Sequence, residues 1–231
     1  MGNSEKYDFD IDHIDPKTVH GMILQQVEPG SFVLECGCAS GYMTKFLHER
    51  MECVVDAIDI DPDCVEKAKK YARHVYCGNL EQNGWIDHFR IDGQYDYILF
   101  ADVLEHLRNP LTVLDRAKNL LRDEGKIIIS VPNICHNDIL IRMFYNYFTY
   151  TNIGLLDNTH VHFWGAMDIP RFIRQAGLEL SVMNAIAIPT QNTEQKYYGK
   201  VDSRLLELLK ERELGEVYQY VMVCEKKVNL K

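Results

Sequence analysis

Val33-Leu34-Glu35-Cys36-Gly37-Cys38-Ala39-Ser40-Gly41 is the stretch on which the fold turns. An apolar run ends on an acid, and small residues then lead straight into an amphipathic segment that begins at Tyr42. Small side chains let the backbone approach a ligand closely, and glycine takes the positive φ that such a turn needs. Eighteen residues beyond Gly41 a second apolar run, Cys53-Val54-Val55-Asp56-Ala57-Ile58-Asp59, also closes on an acid. An acid at that place is positioned to accept hydrogen bonds from the two hydroxyls of a ribose.

Outward from this pair, apolar runs alternate with amphipathic segments, the pattern of an α/β fold. Strands are expected at 31–35, 53–59, 74–77, 95–101 and 126–131, the last ended by Pro132. Helices are expected at 16–26, 42–50, 62–73 and 110–121. Asp61 serves as N-cap and Pro62 as first helical residue of the third. Asp123-Glu124-Gly125 reads as the turn before the fifth strand. Four successive strand-then-helix units with nearly continuous apolar strands imply a parallel sheet covered on both faces. The last third differs. Residues 133–167 are rich in aromatics and histidines without a clean period; a helix at 168–176, a strand at 178–188, a polar loop at 189–200, a helix at 202–214 and a strand at 217–225 follow.

The chain's 231 residues suit one domain: an N-terminal lid and helix (1–30), a cofactor-binding core (31–133), an inserted acceptor-side cap (134–167) and a C-terminal helix and strand pair (168–231). Net charge is -9, with 34 acids against 25 Lys plus Arg, and no basic stretch supplies the positive face that a nucleic-acid partner requires. No run of 18 apolar residues suggests a membrane span, and no basic-then-apolar N-terminus suggests secretion, so a cytoplasmic location is expected. The seven cysteines have no framework spacing and read as reduced thiols, mostly in the core. Cys36-Gly37-Cys38 lacks a second ligand pair, and no metal site is expected in the chain.

A glycine turn plus a ribose acid also describes nicotinamide dinucleotide sites. A G-x-G-x-x-G fingerprint begun at Gly37 would find Ala39 but then bulky Tyr42, where helix and strand must pack closely. Glu35 would also repel a neighbouring pyrophosphate. Beside a ligand carrying a sulfonium and a free amino group the same acid is well placed, so the spacing favours S-adenosylmethionine.

Four landmarks stand in order: Glu35-x-Gly37-x-Ala39-x-Gly41; Ile58-Asp59-Ile60-Asp61-Pro62; Tyr95 through Ala101-Asp102-Val103-Leu104-Glu105-His106-Leu107; and Leu120 through Gly125-Lys126-Ile127-Ile128-Ile129-Ser130-Val131-Pro132-Asn133. With them the chain resembles the class I S-adenosylmethionine-dependent methyltransferases, in particular the small-molecule and glycan-associated group related to the ubiquinone-biosynthesis type. Ala39 stands where that family most often has glycine. Gly154-Leu155-Leu156-Asp157-Asn158-Thr159-His160-Val161-His162-Phe163 resembles, more loosely, a segment of methyltransferases linked to polysaccharide assembly. The resemblance implies a doubly wound, mostly parallel seven-stranded sheet with an antiparallel C-terminal strand pair. It also implies that Glu35, Gly37, Cys38 and Gly41 hold the methionine side of the cofactor and Asp59 the ribose. Ile60 would lie on the adenine face, Asn79 and Leu80 beside the adenine, and Asp102, Val103 and Leu104 toward the sulfonium and acceptor.

Structural roles compete at several positions. Asp61 suits a helix cap better than a ligand, Asp56 has the look of a solvent-facing strand residue, and Glu105 and His106 suit a helix start. Tyr145, Tyr147, Phe148 and Tyr150 suit core or lid positions. Together with His160, His162 and Trp164, the three tyrosines also suit a pocket wall over the acceptor. A hydroxyl acceptor profits from a general base. His160 is the first candidate, His106 and His162 follow, and Asp157 is placed to orient one of them. The Asn/Asp-Pro-Pro-aromatic tetrad of base and glutamine methyltransferases is absent after the fourth strand, and the resemblance implies a small-molecule acceptor, a hydroxyl of a sugar, sugar nucleotide or other small metabolite. The alternative is a non-catalytic cofactor-binding or assembly protein of a glycan-synthesis system. The chain is expected as a monomer or homodimer.

Overall fold

The computed structural model describes residues 14–89, 95–193 and 200–227. The acidic-aromatic N-terminal stretch and part of the polar loop 189–200 therefore lie outside the described residues. Strands β1 (Phe32–Cys36), β2 (Val54–Asp59), β3 (His74–Cys77), β4 (Tyr95–Ala101), β5 (Leu121–Pro132), β6 (Leu178–Ala187) and β7 (Val217–Lys226) form one sheet in the order β3-β2-β1-β4-β5-β7-β6. The first five run parallel, and β7 is antiparallel to both β5 and β6. This is the doubly wound seven-stranded sheet with a reversed C-terminal pair that the sequence implied. No helix among the described residues is long and apolar enough to cross a membrane.

Helices α1 (Val19–Leu24), α2 (Tyr42–Met51), α3 (Pro62–Ala68), α4 (Pro110–Ala117), α5 (Asn137–Phe144), α6 (Ile169–Gln175) and α7 (Ser203–Lys210) accompany the strands. Among the described residues two large buried clusters result, beside two small ones. One joins Ile98, Phe100, Ile127 and Ile129 to Leu114 of α4 and Ile173 of α6; the other joins Val33, Val55, Leu99 and Ile128 to Ile23 of α1 and Leu47 of α2. Alternate residues of the same strands thus bury opposite faces, which is why the central strands read as continuous apolar runs.

Several sequence expectations need correcting. The helix after Pro62 ends at Ala68 rather than Arg73, because the Arg73 amide already bonds Val55 O (2.7 Å). Its guanidinium turns back to Asp56. Asp56 does not face solvent: it is buried, accepts from Arg73 Nε (3.0 Å) and Nη2 (2.6 Å), and takes the Tyr95 hydroxyl at 2.5 Å. Asp123-Glu124-Gly125 is not a turn but lies within β5, which begins at buried Leu121; Asp123 and Glu124 are exposed, Gly125 is buried, and the pairing with β4 is irregular between Tyr95 and Tyr97. The segment 133–167 contains α5, which no apolar period announced. Its N-cap is His136, whose Nδ1 accepts from the Asp138 amide (3.1 Å) and whose Nε2 lies 2.9 Å from Ile188 O. Inside it, buried Asp138 holds Arg142 through two hydrogen bonds of 2.9 and 3.0 Å.

Candidate functional site

Strand order reverses between β1 and β4, and ligands of such sheets sit beyond the strands' carboxyl ends at that point. A cavity of about 360 Å³ opens there. Its walls come from the β1 turn (Glu35, Gly37, Cys38, Ala39), the end of β2 (Ile58, Asp59, Ile60, Asp61) and the loop after β3 (Gly78, Asn79, Leu80). The loop after β4 (Asp102, Val103, His106, Leu107) and Thr159 of the inserted segment also line it. A second cavity, about 420 Å³, lies at the opposite, amino-terminal edge among Cys53, Val54, Tyr71 and Arg73, away from both the glycine turn and the two acids.

The turn is built by close approach. Gly37 has φ +77°, and a Cβ there would meet Val103 Cγ2 at 2.6 Å. Gly41, also at φ +77°, caps α2, and a Cβ would come within 2.9 Å of the Ala68 backbone. Gly41 therefore packs α2 against α3 and does not itself line the cavity. Ala39, where the resembled family has glycine, adopts φ +47° and so occupies the same left-handed region at some cost in strain. Its amide donates to Asp59 Oδ2 (2.9 Å), and the Asp61 amide donates to Asp59 Oδ1 (2.9 Å). The two acid-ended strands are thereby joined at the cavity floor. Asp61 is the N-cap of α3, its Oδ1 accepting from the Asp63 amide (2.9 Å).

Glu35 is buried, and its Oε2 accepts from the Thr44 hydroxyl at 2.5 Å. Burial pushes its pKa up to about 8, the Thr44 bond draws it down, and the nearby Asp59 charge adds to the rise. Asp59 is also raised, chiefly by burial, against the pull of the amides that it accepts. Two desolvated acids facing one cavity call for a cationic, hydrogen-bond-donating occupant. Ile60, 67% exposed beside Asp59, offers a flat apolar surface at the same rim. This donor and acceptor set fits an adenosylmethionine: a ribose-facing acid, an acid for an ammonium or sulfonium, and an apolar shelf for a base.

Asn79 and Leu80 reach the cavity, with Asn79 Oδ1 also accepting from the Glu81 amide (2.8 Å). Asp102 stands at φ +54°, where Oδ1 takes Gln219 Nε2 of β7 (2.7 Å) and the Ser130 hydroxyl of β5. Leu104 departs from expectation: it is fully buried in the core, and Leu107 forms the wall instead.

Of the histidines, His106 lines the cavity and His160 stands directly behind it, ring centroids 4.8 Å apart. Burial, then the His106 charge, lowers the His160 pKa, against the opposing pull of Asp157. His162 is turned elsewhere, stacked on Trp164 and 3.1 Å from Arg108 O. Asp157 Oδ1 accepts both the amide (2.9 Å) and hydroxyl (2.6 Å) of Thr159, so it orients Thr159. The Thr159 Oγ1 in turn lies 3.0 Å from His106 Nδ1. The inserted segment is fastened to the site by the Val161 and His162 amides, which donate to Glu105 O (2.8 and 3.1 Å). The expected aromatic wall is absent. Tyr147, Phe148 and Tyr150 are exposed, Tyr145 bonds the Asp202 amide, and Trp164 packs in the core.

Sequence reasoning missed His20 of α1, Thr44, Thr159 and Gln219. His20 joins the cavity wall, where burial lowers its pKa and Asp102 raises it. Only Thr44 had a legible signal, standing in the first turn after an acid-ended glycine turn.

Sheet order, glycine turn and paired acids define a class I, S-adenosylmethionine-binding methyltransferase fold. The comparisons agree. Residues 19–181, more than half of the chain, match the family described as a methyltransferase domain, and the chain belongs to that family. It is 25% identical over 123 residues to a malonyl-[acyl-carrier protein] O-methyltransferase of Anoxybacillus flavithermus, a match covering 51% of this chain and 45% of that protein. It is 27% identical over 110 residues to a ubiquinone biosynthesis O-methyltransferase of Glaesserella parasuis, covering 45% and 46%. The chain thus spans less than half the length of these curated relatives. Among solved structures it is similar to the magnesium protoporphyrin IX methyltransferase of Synechocystis with bound S-adenosylhomocysteine, with TM-score 0.57, 14% identity and coverage of 90% of this chain and 80% of that one.

Proposed function

We propose that the chain transfers a methyl group from S-adenosylmethionine to a hydroxyl of a small acceptor, a sugar or other small metabolite. The carrying observation is that His106 and Thr159 share one cavity with Glu35, the Gly37 turn and Asp59. Cofactor-holding groups and a polar, hydrogen-bonding wall thus face the same space. When bound, the cofactor supplies an electrophilic methyl on a sulfonium. The chain's own task is to hold the acceptor in line with it, and positioning of this kind contributes up to about 7–11 kcal/mol to a barrier. Glu35, Gly37, Cys38, Asp59, Ile60, Asn79 and Leu80 hold the cofactor; Asp102 and Val103 separate it from the acceptor. His106 and His160 form the acceptor-activating side, with Asp157 acting through Thr159.

The O-methyltransferase names of both curated relatives support a hydroxyl acceptor. The net charge of -9 supports a small molecule over a nucleic acid. The test is mass spectrometry of hydroxylated metabolite and sugar-nucleotide pools incubated with methyl-labelled cofactor. A product heavier by one methylene plus the mass of the label, and dependent on His106 and His160, is expected; label appearing only in tRNA or protein fractions refutes the acceptor class.

A further inference from the structure

We propose that Glu105, His106 and His160 form a binding site for one divalent transition-metal ion, of the Zn²⁺, Mn²⁺, Fe²⁺ or Co²⁺ kind, on the acceptor side of the cavity. One donor atom from each of the three lies within 4.8 Å of the others. Two facts set this cluster apart from a chance grouping of polar residues. Among the described residues, three buried side-chain nitrogen or oxygen atoms have no hydrogen-bond partner, and two of them are Glu105 Oε2 and His160 Nδ1. Glu105 is also only 1% exposed, so its second oxygen is held out of water with nothing to compensate it. Leaving such groups unsatisfied costs about 1–3 kcal/mol each, more where a charge is involved, and a structure keeps them where something else completes the site.

The third ligand is prepared by its neighbours. The Thr159 hydroxyl gives its one proton to Asp157 Oδ1 (2.6 Å), so at 3.0 Å from His106 Nδ1 it accepts. His106 is thereby the Nδ1–H tautomer, and its Nε2 carries the lone pair that a metal takes. A ligating histidine held through its other nitrogen is the usual outer-shell arrangement of metal sites. Two imidazoles and one carboxylate suit borderline divalent ions and leave positions open for other ligands. Ligands about 2.0–2.2 Å from one ion stand no more than roughly 4.4 Å apart, so binding draws the side chains slightly inward. The peptide links are already firm, since Glu105 O receives the Val161 and His162 amides. The ion site stands on these residues alone; only its use, in taking an acceptor oxygen and easing loss of that oxygen's proton to solvent, rests on the methyl-transfer reading.

The test is calorimetric titration of the chelator-stripped chain, without cofactor or acceptor, with Mn²⁺, Zn²⁺ and Co²⁺ separately, together with the visible absorption of the Co²⁺ form. One equivalent is expected, with affinity lowered at least ~100-fold in each of Glu105→Gln, His106→Asn and His160→Ala. The near-UV circular dichroism and urea midpoint of each variant, measured without metal, serve as the check on folding. If Glu105→Gln does not fold, the two histidine variants decide. No binding below millimolar concentration, or binding equal in the variants and the parent chain, overturns the site and leaves the methyl-transfer reading standing.

Discussion

Glu35 makes the site's electrostatics measurable through stability. In an unfolded chain its carboxyl titrates near the ordinary 4.5; folded, burial raises it to about 8. Between those values the folded chain holds a proton that the unfolded chain has released, so stability falls as pH rises through the window. Each unit of separation is worth 1.36 kcal/mol. The whole window therefore amounts to on the order of 4–5 kcal/mol, complete by about pH 9. Glu35→Gln cannot titrate, and its amide oxygen can still accept the Thr44 hydroxyl. Urea unfolding at pH 4.5, 7 and 9 should give variant and parent chain similar stability at the acid end. At pH 9 the variant should be more stable by several kcal/mol, since other titrating groups largely cancel in the difference. A cationic ligand draws the same proton off, so S-adenosylmethionine binding near pH 7 should release it, detectable as a buffer-dependent heat that Glu35→Gln lacks. Parallel stability curves for the two proteins from pH 4.5 to 9 would refute the account of a desolvated acid facing the cavity.

Asp59→Ala removes the acid assigned to the ribose, and S-adenosylhomocysteine affinity should fall by about 2–4 kcal/mol in calorimetry; unchanged affinity would mean that the ribose lies elsewhere. Gly37→Ala places a Cβ 2.6 Å from Val103 Cγ2 at φ +77°. Cofactor affinity should drop by at least ~10-fold, and Gly37→Ala/Val103→Ala should recover part of it; absence of any recovery would show that strain at φ, not the contact, sets the loss. His160→Ala should retain cofactor affinity and lower turnover at least ~100-fold, and normal turnover with the true acceptor would make the residue structural. Asp138→Ala strands buried Arg142 and should cost about 3–5 kcal/mol of stability, read as a lowered urea midpoint.

The sheet was legible because its central strands are buried on both faces. Val33-Leu34, Ile98-Leu99-Phe100 and Ile127-Ile128-Ile129 place every side chain in one of two apolar clusters, so no alternation was needed to see them. The reversed C-terminal pair came from the family resemblance, because a helix, α7, stands between β6 and β7 just as helices stand between parallel neighbours. Helix α5 was not legible, because polar groups fix it: its cap is a histidine, and its buried side includes an aspartate and an arginine that neutralise each other. A period of apolar residues cannot report a face built from an ion pair. Asp56 was misread for the same reason. Its burial depends on Arg73 and Tyr95, which lie 17 and 39 residues away and reach it only once β2, β3 and β4 are in register.

The site divides along the same line. Its cofactor half is carried by backbone demands of consecutive residues, where Gly37 must pass Val103 and where Ala39 and Asp61 amides must meet Asp59; such demands leave a local mark on the sequence. The half proposed for the acceptor is assembled across distance. Thr159 and His160 meet His106 over more than fifty positions, and Gln219 reaches Asp102 over 117. Spacing put His160 ahead of His106 and His162, whereas His106 is the one that lines the cavity and His162 is turned away, and it gave Asp157 a histidine to orient when it orients a threonine. It also drew the eye to aromatics of 145–150, although the segment enters the cavity at Thr159. What singles out residues there is which polar atoms are left unsatisfied once the chain has folded, and Glu105, first seen as a helix start, is a buried acid with one such oxygen beside His106 and His160.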